Sequence, residues 1–106
     1  MRVEEYGLQI AIAARADLVV LFLDGELSPD STPLLVRTLD GLSKQRFRSL
    51  WVSLAGVTRI DTGAIDVLLA ARRRAGQQQR QFIVRSPSSA VARSLADRSD
   101  CANLTS

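Results

Sequence analysis

Residues 50–76 read LWVSLAGVTRIDTGAIDVLLAARRRAG, and this stretch decides the fold. The apolar run at 50–54 (LWVSL) has the length and composition of a strand. Six residues, 55–60, read as a turn that leads into Asp61. From Thr62 to Ala75 the periodicity changes to that of a helix. Ala64, Val67, Leu68, Ala71 and Ala75 fall on one face, widened by Ile65, Leu69 and Arg72. Arg72, Arg73 and Arg74 lie in the last turn, where positive charge suits the helix dipole. Gly76 follows as an expected terminator. A strand thus hands over to a helix, and the handover carries a carboxylate, a hydroxyl and a glycine. Such a junction can seat a phosphate or a partner.

Working outward, the same alternation of strands and helices recurs. Residues 8–14 (LQIAIAA) alternate loosely, and residues 18–23 (LVVLFL) form a continuous apolar run suited to a strand covered on both faces. Residues 15–17 make a tight turn between them, so the pair reads as a hairpin. Residues 24–29 read as a loop. Asp30 or Ser31 caps a helix reaching about Lys44, with Pro33 in its first turn. Leu34, Leu35, Thr38, Leu39 and Leu42 form the buried stripe of that helix, while Arg37, Asp40 and Lys44 point to water. Residues 81–85 (QFIVR) read as a fourth strand. A last helix over about 88–98 turns Val91, Ala92 and Leu95 inward. The expected fold class is α/β: one domain over 1–106, order β-β-α-β-α-β-α, a mixed sheet with helices packed on it.

Composition narrows the function. The chain has 106 residues, 46% of them hydrophobic and 24% charged, enough for one compact core. The net charge of +3 comes from arginine; Lys44 is the single lysine. That modest excess is a weak signal for nucleic acid or anionic lipid. The three arginines at 72–74 have a local explanation, and five aromatic residues (three Phe, one Tyr, one Trp) leave few rings to stack bases. No direct nucleic-acid role is expected. The chain has no histidine and a single cysteine, Cys101. This removes a Ser-His-Asp triad, a Cys-His pair, an internal disulfide and the usual zinc ligand sets. No phosphate-binding glycine loop is present. No catalytic residue, metal or cofactor is expected, and the chain reads as a protein that is not an enzyme. No apolar run approaches the length of a membrane span, so no membrane insertion is expected. Cysteine usage suits the cytoplasm.

The chemistry then concentrates at residues 61–63. Asp61 is placed to cap the helix by accepting backbone N–H bonds two or three residues on. Thr62 becomes a first-turn residue with an exposed hydroxyl. A phosphoryl group there meets the free N–H groups and the positive end of the dipole. Gly63 lets another molecule approach the backbone. Phosphate adds roughly −1.5 to −2 charges beside Asp61, enough to disrupt a docked partner that tolerates no further acid.

The segment VSLAGVTRIDTGAIDVLLAARRRA resembles the signature of STAS domains, especially bacterial anti-sigma-factor antagonists. That family has an apolar strand, Gly-Val, an apolar position, Asp-Ser-Ser-Gly and an apolar helix. Gly56-Val57, Ile60 and Asp61-Thr62-Gly63-Ala64 take those places. Leu23-Asp24-Gly25-Glu26-Leu27 matches the loop usually written Gly-Glu-Leu-Asp, with Ser28 in place of the last Asp. Ser86-Pro87-Ser88 and the following Val91-Ala92-Arg93-Ser94-Leu95 are similar to the family's final helix. The resemblance implies that Thr62 is the phosphorylation site. It also implies a partner, an anti-sigma factor that is a GHKL-type serine kinase, and a switch in which the antagonist frees the sigma factor. The docking face is expected to use Gly25, Glu26, Ser28, Asp30, Asp61, Thr62, Gly63 and Asp66. The expected state is a monomer or weak homodimer. STAS domains with Asp-Thr near this position also occur as accessory subunits of ABC-type lipid transporters, which is the alternative reading.

Overall fold

The computed structural model describes residues 2–85 and 91–93. Its elements in chain order are β1 (Arg2–Glu5), β2 (Leu8–Arg15), β3 (Leu18–Leu27), α1 (Thr32–Ser43), β4 (Ser49–Ile60), α2 (Thr62–Gln77) and β5 (Gln81–Arg85). Residues 91–93 are helical, and Val91 is buried in the core. The expected order is therefore kept, preceded by one further strand, β1. The rest of the expected last helix, with Leu95, lies outside the described residues, as does Cys101. Ala92, expected to point inward, is exposed.

The five strands form one sheet in the order β1-β2-β3-β4-β5. The first two pairings are antiparallel and the last two parallel, so the sheet is mixed. Two hairpins build the antiparallel half. Tyr6 and Gly7 both take positive φ, 52° and 80°, in the two-residue turn between β1 and β2. Ala16, at φ 53°, turns the chain between β2 and β3. The crossovers through α1 and α2 then supply the parallel strands.

One face of the sheet carries the core. Ile10, Leu21, Leu23, Val52, Leu54 and Val84 point into it and meet Leu35, Leu39, Ala64, Ile65 and Leu68 from the helices. In α1, Leu34, Leu35, Leu39 and Leu42 are buried, while Thr38 is half-buried and its hydroxyl donates to the Leu34 carbonyl at 2.8 Å. In α2, Ala64, Ile65, Leu68 and Ala75 are buried, and Val67, Leu69 and Ala71 pack beside them. Arg72, expected to widen that face, is exposed. Helical geometry carries its long polar side chain past the apolar seam.

Three local expectations are corrected. Residues 24–27 are not a loop; they continue β3, whose ladder runs to Leu27 opposite Ile60. Residues 55–60 are not a turn; they continue β4 to Ile60. Register shifts fall between Phe22 and Asp24 and between Gly25 and Glu26, and at each one β4 holds one residue more than β3. These bulges disrupt the period-two pattern that marks a strand. Finally, Gly76 lies inside α2 and does not end it. The chain reverses at Gln79 (φ 60°), with Gln79 N–H donating to the Gly76 carbonyl (3.1 Å) and Arg80 N–H to the Ala75 carbonyl (2.8 Å). This is a Schellman closure with glutamine where glycine is usual.

Candidate functional site

β3 and β4 end side by side, and everything at the candidate site hangs from that parallel pair. The Asp61 N–H donates to the Leu27 carbonyl at 3.0 Å, which fixes the start of α2 against the end of β3. Asp61 has extended backbone (φ −96°, ψ 171°), and its Oδ1 accepts from the Ala64 N–H at 2.8 Å. That is the expected cap. It satisfies one of the donors a helix start leaves open and sets a carboxylate beside the first turn.

Thr62 is the first residue of α2 and is exposed, and its hydroxyl has no hydrogen-bond partner among the described residues. Gly63 is exposed as well. A Cβ placed on Gly63 would meet the Asp61 carboxylate at 3.7 Å, an ordinary contact, so space at Gly63 does not demand glycine. Asp66 lies one turn further along, exposed, on the side of α2 that Thr62 occupies.

The neighbouring loop is built by Ser31, which is fully buried. Ser31 stands at the N-cap position of α1, yet its side chain makes no cap hydrogen bond. Its hydroxyl donates instead to the Glu26 carbonyl (2.7 Å) and accepts from the Ser28 N–H (2.9 Å). The Thr32 hydroxyl adds a bond to the Ser28 carbonyl at 2.7 Å. Ser28 is thereby held next to Asp61, and Leu27, Ser28, Pro29, Arg59, Ile60 and Asp61 line a shared pocket of about 240 Å³. Glu26 and Asp30 are exposed on either side of Ser28.

Gly25 serves this arrangement from below. At φ +104° it adopts a backbone that disfavours side chains, and a Cβ there would lie 2.0 Å from the Gly7 carbonyl oxygen. On β4 space alone calls for glycine at position 56, where a Cβ would collide with the Asp24 carboxylate at 1.7 Å. Of the predicted residues, Ser28, Asp61 and Thr62 converge at the ends of β3 and β4. Glu26, Asp30, Gly63 and Asp66 surround them, and Gly25 lies half-buried in the strand that carries Glu26. Two contributors were not among the site residues expected from sequence. Ser31 is one. The other is Arg59, a cation on the pocket wall, exposed because β4 continues through this segment.

The arrangement presents an exposed hydroxyl at a helix N-terminus beside a fixed carboxylate. Among the described residues no cluster of three or more potential metal ligands occurs, and no helix is long and apolar enough to cross a membrane.

The family model described as "Mlab, STAS domain" matches residues 10–99. The chain belongs to the STAS domain family. Among curated proteins no sequence matches this STAS domain. Among solved structures, it is similar to the anti-sigma factor antagonist SpoIIAA in its unphosphorylated form. The TM-score is 0.77 and the identity 16%, covering 93% of this chain and 85% of that one. It is also similar to an anti-sigma factor antagonist from Mycobacterium paratuberculosis, with TM-score 0.73, 16% identity, and 84% and 75% coverage. Mglu matches with TM-score 0.66 and 22% identity over 74% of this chain, but the STAS domain spans only 20% of that protein. At these identities the likeness is one of fold. It places the STAS domain in the SpoIIAA-like architecture of a mixed five-stranded sheet with helices packed on it.

Proposed function

We propose that this STAS domain is a cytoplasmic, non-enzymatic partner-switching protein, an anti-sigma-factor antagonist. In this reading it docks on an anti-sigma factor of the GHKL serine-kinase type and frees the sigma factor. Thr62 is the phosphate acceptor. The docking face runs from Glu26, Ser28 and Asp30 across Asp61, Thr62 and Gly63 to Asp66, with Gly25 holding the strand beneath.

The observation that carries this reading is the Thr62 hydroxyl, exposed and unengaged among the described residues, one position after a carboxylate committed to the cap. Because Asp61 is spent on Ala64, modification of Thr62 does not dismantle the helix start. It alters the surface only. Phosphate there adds charge beside Asp61 and Asp66, and a partner docked on that face is expelled by repulsion and desolvation. SpoIIAA has been solved in unphosphorylated and phosphorylated forms, which supports the same logic for a protein of this fold.

The test is intact mass after incubation with ATP and the candidate kinase. One phosphate on the wild type and none on Thr62→Ala is the expected result. Phosphate on both variants would remove Thr62 from the switch.

A second reading is favoured by threonine at position 62. There the domain is an accessory subunit bound to the ATPase of an ABC-type lipid transporter. Stable co-purification with such an ATPase, without phosphotransfer, selects that reading over the first.

A further inference from the structure

The net charge of +3 hides a polarised molecule. β3, β4 and β5 run parallel, so the three connections that lead into them meet at one end of the sheet. Backbone hydrogen bonds hold these connections level. The Asp17 carbonyl, in the turn before β3, accepts from the Arg48 and Ser49 N–H groups at 2.8 and 3.1 Å. The Arg48 carbonyl accepts in turn from the Gln81 N–H at 2.8 Å. Arg15, Lys44, Arg46 and Arg48 stand at this end, all exposed. Arg72 and Arg73 add exposed charge from the last two turns of α2, which finishes there. Two further arginines are engaged, Arg74 with Asp40 and Arg80 over the Phe47 ring at 4.1 Å. Against these eight cations stand two carboxylates, Asp17 and Asp40. Arg15, Lys44, Arg46, Arg72 and Arg73 have no ion pair among the described residues. The helix dipole accounts for cations at the end of α2, but Arg15, Arg46 and Arg48 lie outside any helix. The opposite end, where β3 and β4 finish, is acidic, with Glu26, Asp30, Asp61 and Asp66 around Arg59.

We propose that this basic end docks on the surface of an anionic lipid bilayer, independently of the Thr62 site. Breadth without depth is the first argument. The cations spread over three connections and a helix end. The cavity between the ends of α1 and α2 here, lined by Phe47, Arg74 and Arg80, holds about 30 Å³, room for one water and not for a free nucleotide. A shallow array of cations is complementary to a plane of lipid phosphates. The second argument is what the end lacks. Among the described residues its surface carries no large hydrophobic side chain; Tyr6, Phe22 and Val36 are exposed elsewhere, and Phe47 is buried. No ring is offered for bases to stack on. Both helices reach this end with their carboxyl termini, whereas a recognition helix reads bases with its amino-terminal residues. The same lack of apolar groups makes the contact electrostatic, shallow and reversible. Orientation is the third argument. Opposite charge at opposite ends turns the basic end toward an anionic plane and leaves the acidic docking face in solution, open to a partner.

The test is co-sedimentation of the full chain with vesicles at about 0.15 M salt, where the screening length is about 8 Å. One set is phosphatidylcholine alone; the other mixes phosphatidylcholine and phosphatidylglycerol at about two to one. The protein should pellet with the mixed vesicles, remain in solution with phosphatidylcholine, and be released at about 1 M salt. Arg15→Glu and Arg46→Glu should each weaken partitioning by about fivefold or more, and their effects should multiply. Arg85→Glu makes the same charge change about 13 Å along β5 from Gln81, beyond the screening length, and should alter partitioning by less than about twofold. Circular dichroism confirms that each variant is folded. Equal loss in all three variants reduces the effect to net charge and overturns the proposal. Failure to pellet with the mixed vesicles, or pelleting without any vesicles, overturns it as well. Duplex DNA that strips the protein from the vesicles at equal phosphate concentration makes nucleic acid the occupant and overturns it too.

Discussion

Asp61 and Thr62 divide two tasks between adjacent side chains. The carboxylate of Asp61 is structural, held by the Ala64 N–H at 2.8 Å, and the Thr62 hydroxyl beside it is left for chemistry. Asp61→Ala should therefore lower stability by about 1 kcal/mol, the usual cost of losing a cap. A urea melt showing no loss would mean that the cap contributes nothing. Thr62→Ala removes no structural bond and should melt with the wild type while binding its partner constitutively. Thr62→Asp should weaken that binding by about tenfold, equivalent to about 1.4 kcal/mol, because it places a second carboxylate beside the first. Titration calorimetry against the partner measures both. Ser31 is the opposite case, a hydroxyl with no chemistry to do. Its bonds to Glu26 and Ser28 shape the loop, and Ser31→Ala buries a carbonyl and an N–H that lose their partner. The expected loss is about 1–3 kcal/mol. Partner binding should weaken too, since Ser28 is no longer held beside Asp61.

At the scale of elements, legibility followed periodicity. The helices α1 and α2 were readable because their leucine and alanine stripes repeat at helical spacing, and β5 because QFIVR is a short run with clear flanks. The second half of β4 was not readable. Its two bulges break the alternation at Ala55 and again near Thr58, so AGVTRI has the look of a turn although Gly56, Val57, Arg59 and Ile60 pair with β3. β1 was missed for a different reason. RVEE holds one apolar residue, and an edge strand with one partner needs little apolar pattern. The site was half legible. Asp61 and Thr62 announce themselves through cap chemistry, whereas Ser31 has the same credentials for a cap and spends its hydroxyl elsewhere. Arg59 was hidden by the bulges. The end of α2 was also misread, since Gly76 is a good terminator by type but the backbone reverses three residues later. Gln79 holds a left-handed conformation there without the freedom of glycine. Gln79→Gly should relieve that strain and raise stability by about 0.5–1 kcal/mol, read as an increase in the thermal midpoint. A fall would mean that the lost backbone entropy outweighs the strain.

At the scale of the whole molecule, the docking face and the source of stability lie in different places. The candidate site is at the carboxyl ends of β3 and β4, a position from which loops can vary without disturbing the sheet. Stability resides behind it, in Leu21, Val52, Leu54 and Leu68, all essentially without solvent exposure. The ion pairs are peripheral. Arg74–Asp40 at 2.8 Å ties α1 to α2, Arg37–Glu5 links α1 to β1, and Arg48–Asp17 at 3.9 Å is looser still. Every one of these side chains is at least 40% exposed, so each pair contributes little. Two opposite responses follow from this separation. Leu54→Ala, deep beneath the sheet, should cost about 2–5 kcal/mol. Raising salt to about 1 M, which shrinks the screening length to about 3 Å, should shift the urea-derived stability of the wild type by less than about 1 kcal/mol. Partner binding at the face of Glu26, Asp30, Asp61 and Asp66 should weaken over the same salt range, because those carboxylates act across an exposed interface. If salt instead unfolds the domain, the charge pairs hold the fold together and the core does not, and the division between a rigid body and an electrostatic docking face fails with it.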